Sequence, residues 1–213
     1  MSFETNPIYE TIISGIIDQK YAVCDNFFSA AEVQLLKEQI QAKHQQQLFK
    51  AAAIGNGSKE KVLKSVRSDS ILWIDEDNAD NIEALFLSKI NDFIQYLNRT
   101  CYLGIECGEF HYATYPEGTF YKRHLDVFQT DSRRTLSVIL YLNDEDWSAS
   151  DGGELTLYLP NEAGEIEPLD ILPKGGRLAI FDSKTIEHEV KVVHRTRYSI
   201  TGWLKTRAFS LAL

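Results

Sequence analysis

Cysteine, proline and long apolar runs are all scarce in this chain. It has three cysteines in 213 residues, Cys24, Cys101 and Cys107. The number is odd and the spacing fits no thiolate metal motif, so neither a disulfide framework nor a cysteine-held zinc is expected. A reduced, cytoplasmic protein is the simplest reading. Five prolines and no low-complexity tract exclude a proline-rich or largely disordered chain. No apolar run reaches the roughly 20 residues a helix needs to cross a bilayer. The start, Met1-Ser2-Phe3-Glu4, has neither the basic end nor the apolar centre of a signal peptide. No membrane partner is therefore expected. Positive charge is also in deficit. Lysine and arginine number 22 against 31 acidic residues, a net charge of −9. A general nucleic-acid binder needs a basic face, so no nucleic-acid partner is expected either.

What is present suits one folded domain. Hydrophobic residues make up 44% of the chain, enough for a sizeable core. Ile8, Ile12, Ile13, Ile16 and Ile17 recur at helical spacing. A short strand over Tyr21-Ala22-Val23 follows. Ser29-Ala30-Ala31-Glu32 has the form of a capping box, and its helix should run to about Gln46, burying Val33, Leu36 and Ile40. Residues 50–66 break the periodicity. Gly55, Gly57, Lys59, Lys61 and Lys64 read as a mobile connector. A strand over Arg67 to Ile74 and an amphipathic helix over 79–99 come next. From about Glu106 the texture becomes β-rich. Strands are predicted at 106–115, 120–125, 135–143, 153–159, 165–171, 176–182, 187–193 and 196–205. The chain thus divides into 1–105, helices and flanking strands, and 106–207, a β-rich core of the same domain. Eight strands after two or three helices predict an α+β fold. Its core would be a jelly-roll barrel, with the N-terminal helices packed on one sheet.

The chemistry concentrates between Tyr115 and Trp203. His124-Leu125-Asp126 ends a predicted strand, where side chains two apart share a face. His188 lies on a distant strand. Two histidines and one carboxylate suit a facial triad for Fe(II), although these ligand types also admit zinc or manganese. A bare H-x-D recurs by chance, so its context decides. Arg197, Ser199, Thr201 and Trp203 share one face of the last strand. If that face is the barrel interior, Arg197 is an inward cation in need of an anion, and a carboxylate suits it. Tyr115 and Tyr141 could bond the same ligand or could be ordinary core residues. His44 and His111 show no partner pattern, and no role follows for them.

Six ordered segments carry a resemblance beyond this pattern. They are Arg67-Ser68-Asp69-Ser70-Ile71-Leu72-Trp73-Ile74; Tyr115-Pro116 with Tyr121 to Asp126; Tyr141-Leu142-Asn143 with Trp147; Gly152-Gly153-Glu154-Leu155; His188-Glu189-Val190; and Arg197 to Trp203. Over about residues 20–205 the chain resembles the iron- and 2-oxoglutarate-dependent dioxygenases. Within them it looks like the prolyl 4-hydroxylases, above all the oxygen-sensing prolyl hydroxylases and their bacterial relatives. The resemblance implies a double-stranded β-helix and hydroxylation of a peptidyl proline, with release of succinate and carbon dioxide. It implies Fe(II), 2-oxoglutarate and dioxygen, with ascorbate as a further suggested cofactor. It makes His124, Asp126 and His188 the iron ligands. It places Arg197, Tyr141, Tyr115 and Thr201 around 2-oxoglutarate, and Arg134, Trp203 and Asp69 near the substrate. The implied partner is a protein or peptide carrying a proline. Segment 50–66 falls where the family has a mobile loop that folds over the substrate. It matches only in placement, and one residue fewer separates Tyr115 from His124 than in the enzymes it most resembles.

Other readings stay open at this point. The same cofactors could serve a lysine, a free amino acid or another small molecule. A zinc hydrolase could use the same ligands, and a non-catalytic barrel could simply bind metal. The oligomeric state is left open.

Overall fold

The computed structural model describes residues 4–53, 63–127 and 133–207. Each helix begins where a polar side chain can cap it. Helix α1 (Pro7–Gln19) starts at Asn6, whose Oδ1 accepts from the backbone N–H of Ile8 at 3.0 Å. Helix α2 (Ala30–Gln45) opens on the Ser29–Glu32 capping box, with Ser29 N donating to Glu32 at 2.6 Å. Helix α3 (Asn81–Thr100) opens on a second box, Asp80 with Glu83, which explains its start two residues after the expected one. These reciprocal bonds satisfy N–H groups that a helix start leaves orphaned. No helix among the described residues is long and apolar enough to cross a membrane.

Eleven described strands follow the predicted pattern closely. They are β1 (Tyr21–Cys24), β2 (Lys50–Ala51), β3 (Ser70–Trp73), β4 (Ile105–Tyr115), β5 (Tyr121–His124) and β6 (Arg134–Tyr141), then β7 (Leu155–Pro160), β8 (Ile166–Ile171), β9 (Leu178–Asp182), β10 (Glu187–Val190) and β11 (Arg197–Thr206). They form two antiparallel sheets, a seven-stranded one ordered β1-β9-β6-β11-β4-β3-β2 and a four-stranded one ordered β5-β10-β7-β8. This is the expected α+β jelly roll. Strands β1 and β3, from the first half of the chain, lie in the same sheet as β4, β6, β9 and β11.

Period-two alternation decides what each face meets. Leu136, Val138 and Leu140 of β6, with Leu178 and Ile180 of β9, pack against Leu36, Phe86, Ile90 and Phe93 of the helices. The alternate residues Ile139, Tyr141, Ala179 and Phe181 face Leu155, Leu157 and Ile171 of the small sheet. Both faces of the central strands are therefore buried, and they read as apolar runs. Toward one end the inter-sheet space holds polar side chains instead, and the site lies there.

Two local expectations are corrected. The connector 50–66 is not wholly irregular, because Lys50 and Ala51 pair with Ile71 and Ser70 at the sheet edge. Residues 54–62, including both glycines and two of its three lysines, lie outside the described residues, as does the expectation that they cover a substrate. Regular β3 pairing begins at Ser70 rather than Arg67. Arg67 instead bridges to Tyr121, and its side chain binds Asp69.

Candidate active site

Antiparallel pairing of β5 with β10 sets His124 directly opposite His188. Their ring centroids are 4.2 Å apart. Asp126 lies beyond the end of β5, so strand geometry alone does not aim it. Ser137 donates to Asp126 Oδ2 at 2.6 Å, and Arg134 Nη1 donates to the Asp126 carbonyl at 3.0 Å. Thus held, Asp126 puts Oδ1 3.6 Å from His124 Nε2 and Oδ2 3.5 Å from His188 Nε2. One ligand atom from each of the three residues lies within 4.8 Å of the others.

Both imidazoles are oriented from behind. His124 Nδ1 faces the Lys122 carbonyl at 2.7 Å, and His188 Nδ1 faces the Ile186 carbonyl at 3.3 Å. A proton on each Nδ1 leaves the Nε2 lone pair for a cation. Burial lowers His188 to a pKa of about 4. Burial alone would raise the Asp126 carboxyl, but His188, His124 and Ser137 outweigh it and hold it well below the usual range. At neutral pH these two groups have the protonation a metal requires.

Arg197 opens β11 opposite Tyr115 of β4. It is 2% exposed. Its guanidinium lies 4.9 Å from the Tyr115 ring centroid and 5.0 Å from that of Tyr141. Its hydrogen bond to Ser199 Oγ is long, at 3.5 Å, and Nε has no partner among the described residues. No carboxylate among the described residues pairs with it. Gly153 makes room for this side chain. It has φ +70°, and a Cβ there would stand 3.1 Å from Arg197 Cδ.

A cavity of about 250 Å³ joins the triad to Arg197 and is lined also by Tyr115, Thr201, Arg134 and Trp203. Trp73 and Trp203 stand 6.4 Å apart on one side, and Arg134 lies 3.4 Å over the Trp203 ring. Two expected site residues are not on the lining. Tyr141 sits behind Arg197, with its hydroxyl buried and unpaired. Asp69 turns both oxygens to Arg67, at 2.8 and 2.6 Å. Arg67 in turn lies over the Tyr121 ring at 4.4 Å, and Tyr121 stacks on His124 at 3.6 Å. Asp69 thus reaches the triad through a chain of contacts rather than by lining the cavity.

Comparison with known proteins gives this geometry a family. Residues 110–205 match the 2OG-Fe(II) oxygenase superfamily. A Pseudomonas putida prolyl-4-hydroxylase of known structure is 32% identical, with TM-score 0.83, over 94% of this chain and 100% of that one. The chain belongs to the 2OG-Fe(II) oxygenase superfamily. Its relatives include prolyl hydroxylases, as the sequence resemblance implied. The hypoxia-inducible factor prolyl hydroxylase of Caenorhabditis elegans is 32% identical over 208 residues, 92% of this chain. This chain spans only 28% of that relative's length. A Trichoplax adhaerens prolyl hydroxylase, solved with a peptide fragment of the hypoxia inducible factor oxygen degradation domain, is 27% identical with TM-score 0.79. That match covers 92% of this chain and 88% of that one.

The residues of this oxygenase fit the cofactors its family name implies. Two Nε2 lone pairs and a carboxylate are the donor set that would hold Fe(II). Arg197, a buried cation with no carboxylate partner among the described residues, suits a dicarboxylate whose far end enters the cavity. Sequence reasoning assigned no role to Arg67, Tyr121, Ser137 or His111. For His111 a signal existed. Counting back by twos from Tyr115 puts Ala113, His111 and Glu109 on the cavity face of β4, and all three line it. For Ser137 there was none, since its partner Asp126 is on another strand connection.

Proposed function

We propose that this oxygenase hydroxylates a prolyl residue of a protein or peptide. The observation that carries the reading is one cavity with the His124–Asp126–His188 triad and unpaired Arg197 within it and a Trp73–Trp203 wall beside it. When bound, Fe(II) would supply an oxidation in which one atom of dioxygen is taken up by 2-oxoglutarate as it loses carbon dioxide, giving succinate, and the other atom enters a C–H bond of the target as a hydroxyl. His124, Asp126 and His188 would hold the iron. Arg197 binds the far carboxylate of 2-oxoglutarate with its guanidinium fork, which Tyr115 and Tyr141 keep in place. Thr201 Oγ1, 3.3 Å from Ser199 Oγ, continues this polar wall. Burial raises the Tyr115 and Tyr141 hydroxyls above their usual range, so they remain donors. The apolar faces of half-exposed Trp73 and buried Trp203 receive an aliphatic ring, with Arg134 backing Trp203.

Three considerations favour proline as the target. They are the aromatic wall, the identity to the bacterial prolyl-4-hydroxylase across its whole length, and the peptide held by the Trichoplax adhaerens enzyme. The reading extends to ascorbate as an accessory reductant and, from three free cysteines, to a cytoplasmic setting. The test is anaerobic addition of Fe(II) and then 2-oxoglutarate, followed by oxygen and a panel of proline peptides. A visible charge-transfer band, succinate release stimulated by the peptides and one added oxygen atom on proline are expected. Succinate release stimulated by lysine peptides or free amino acids, but not by proline peptides, would overturn the choice of target.

A further inference from the structure

His111 is a polar group of this cavity that no step above uses. It lies in the middle of β4 with its side chain on the cavity wall and is 3% exposed. The strand register places it between Trp73 of β3 and Thr201 of β11, with Ile139 of β6 next in the row. All four side chains line the cavity. The imidazole meets Trp73 nearly edge-on, centroids 4.9 Å apart, and Trp203 at 5.6 Å. Three rings thus enclose one corner, and His111 is its polar member.

Neither nitrogen of that imidazole has a hydrogen-bond partner among the described residues, and Nδ1 is wholly buried without one. A buried polar group left unpaired destabilises the fold, and an aliphatic side chain between two tryptophans would not. Burial, with the charges of Arg67 and Arg134 outweighing that of Asp126, lowers its pKa to about 3. The ring is therefore neutral in ordinary buffers, with one N–H donor and one acceptor. An aliphatic ring entering this corner brings no partner for it. The same ring carrying a new hydroxyl does, because a hydroxyl can both donate and accept.

We propose that His111 is a specificity-determining residue that hydrogen-bonds the hydroxyl of the product, so that this oxygenase distinguishes the hydroxylated prolyl ring from the unmodified one. The proposal rests on the prolyl reading above. It implies that His111 governs release of the product more than capture of the substrate. Removing it should weaken product inhibition while leaving the KM for a proline peptide nearly unchanged.

The test uses the full chain, loaded anaerobically with Fe(II) and 2-oxoglutarate so that no turnover occurs. Two probes are titrated, N-acetyl-L-proline amide and its trans-4-hydroxy counterpart, and binding is read from quenching of tryptophan emission. One neutral hydrogen bond should make the hydroxylated probe bind about five- to tenfold more tightly to the wild type. His111→Leu should bring the two affinities together by weakening the hydroxylated probe alone. His111→Asn should keep part of the difference. A merely structural role would weaken both probes alike. Equal binding of the probes to the wild type, or an undiminished difference in a folded His111→Leu variant, overturns the proposal and leaves the prolyl reading standing. Formation of the charge-transfer band with binding of neither probe overturns the prolyl reading, and the proposal falls with it.

Discussion

Replacing Arg197 with methionine separates ligand binding from fold stability. Methionine has similar length and no charge. In the ligand-free protein two effects oppose each other. The variant loses cation–π contacts with Tyr115 and Tyr141, which contribute on the order of 1–2 kcal/mol in a buried setting. It also relieves a buried charge whose one hydrogen bond among the described residues, to Ser199, is 3.5 Å long, a gain of similar order. The melting temperature without 2-oxoglutarate should therefore stay within about 4 °C of wild type. With 2-oxoglutarate the balance changes, because removing one partner of a buried ion pair costs about 3–5 kcal/mol. The concentration needed for half-maximal succinate production should rise by at least about 10²-fold. The rise in melting temperature that 2-oxoglutarate gives the wild type should disappear. Arg197→Lys should recover only part, since an ammonium lacks the planar fork. A methionine variant that unfolds yet keeps its 2-oxoglutarate dependence when refolded would refute the reasoning.

Three further outcomes follow from the same geometry. Folding holds His111 at about 3, against about 6.5 in the unfolded chain, so the unfolded chain binds the extra proton. Stability is then full above about pH 6.5 and falls as pH drops toward 3, losing about 2 kcal/mol by pH 5 from this group. Urea midpoints at pH 7.5 and pH 5 should differ less in His111→Leu, and an unchanged difference would contradict the burial argument. Ser137→Ala removes the bond that aims Asp126 Oδ2 and should weaken Fe(II) binding about 10-fold or more. Metal titration checks this, and wild-type affinity would show that Asp126 needs no such support. Gly153→Ala places a Cβ 3.1 Å from Arg197 Cδ at a backbone φ of +70°. It should raise the 2-oxoglutarate requirement with less effect on iron, as paired titrations would show.

The sequence by itself determined the regular elements and the reactive residues. Capping residues are local, so Ser29 with Glu32 announced α2, and β-rich runs bounded by turn residues announced β4 through β11 within two or three residues. His124, His188 and Arg197 were legible because their types and spacing match a known chemistry. Only the tertiary structure decided what depends on contacts between distant strands. Strand β2 has two residues and no periodicity to read; its pairing with β3 makes it a strand. Asp69 resembles a substrate contact in sequence, yet its carboxylate is taken by Arg67 and acts through Tyr121 on His124. Ser137 meets Asp126 because β6 runs beside the turn that carries Asp126. His111 looked unpartnered because its neighbours, Trp73 and Trp203, lie 38 and 92 positions away in the chain. Spacing along a chain shows which residues can share a face, but which faces close around a cavity is set by strand order and register.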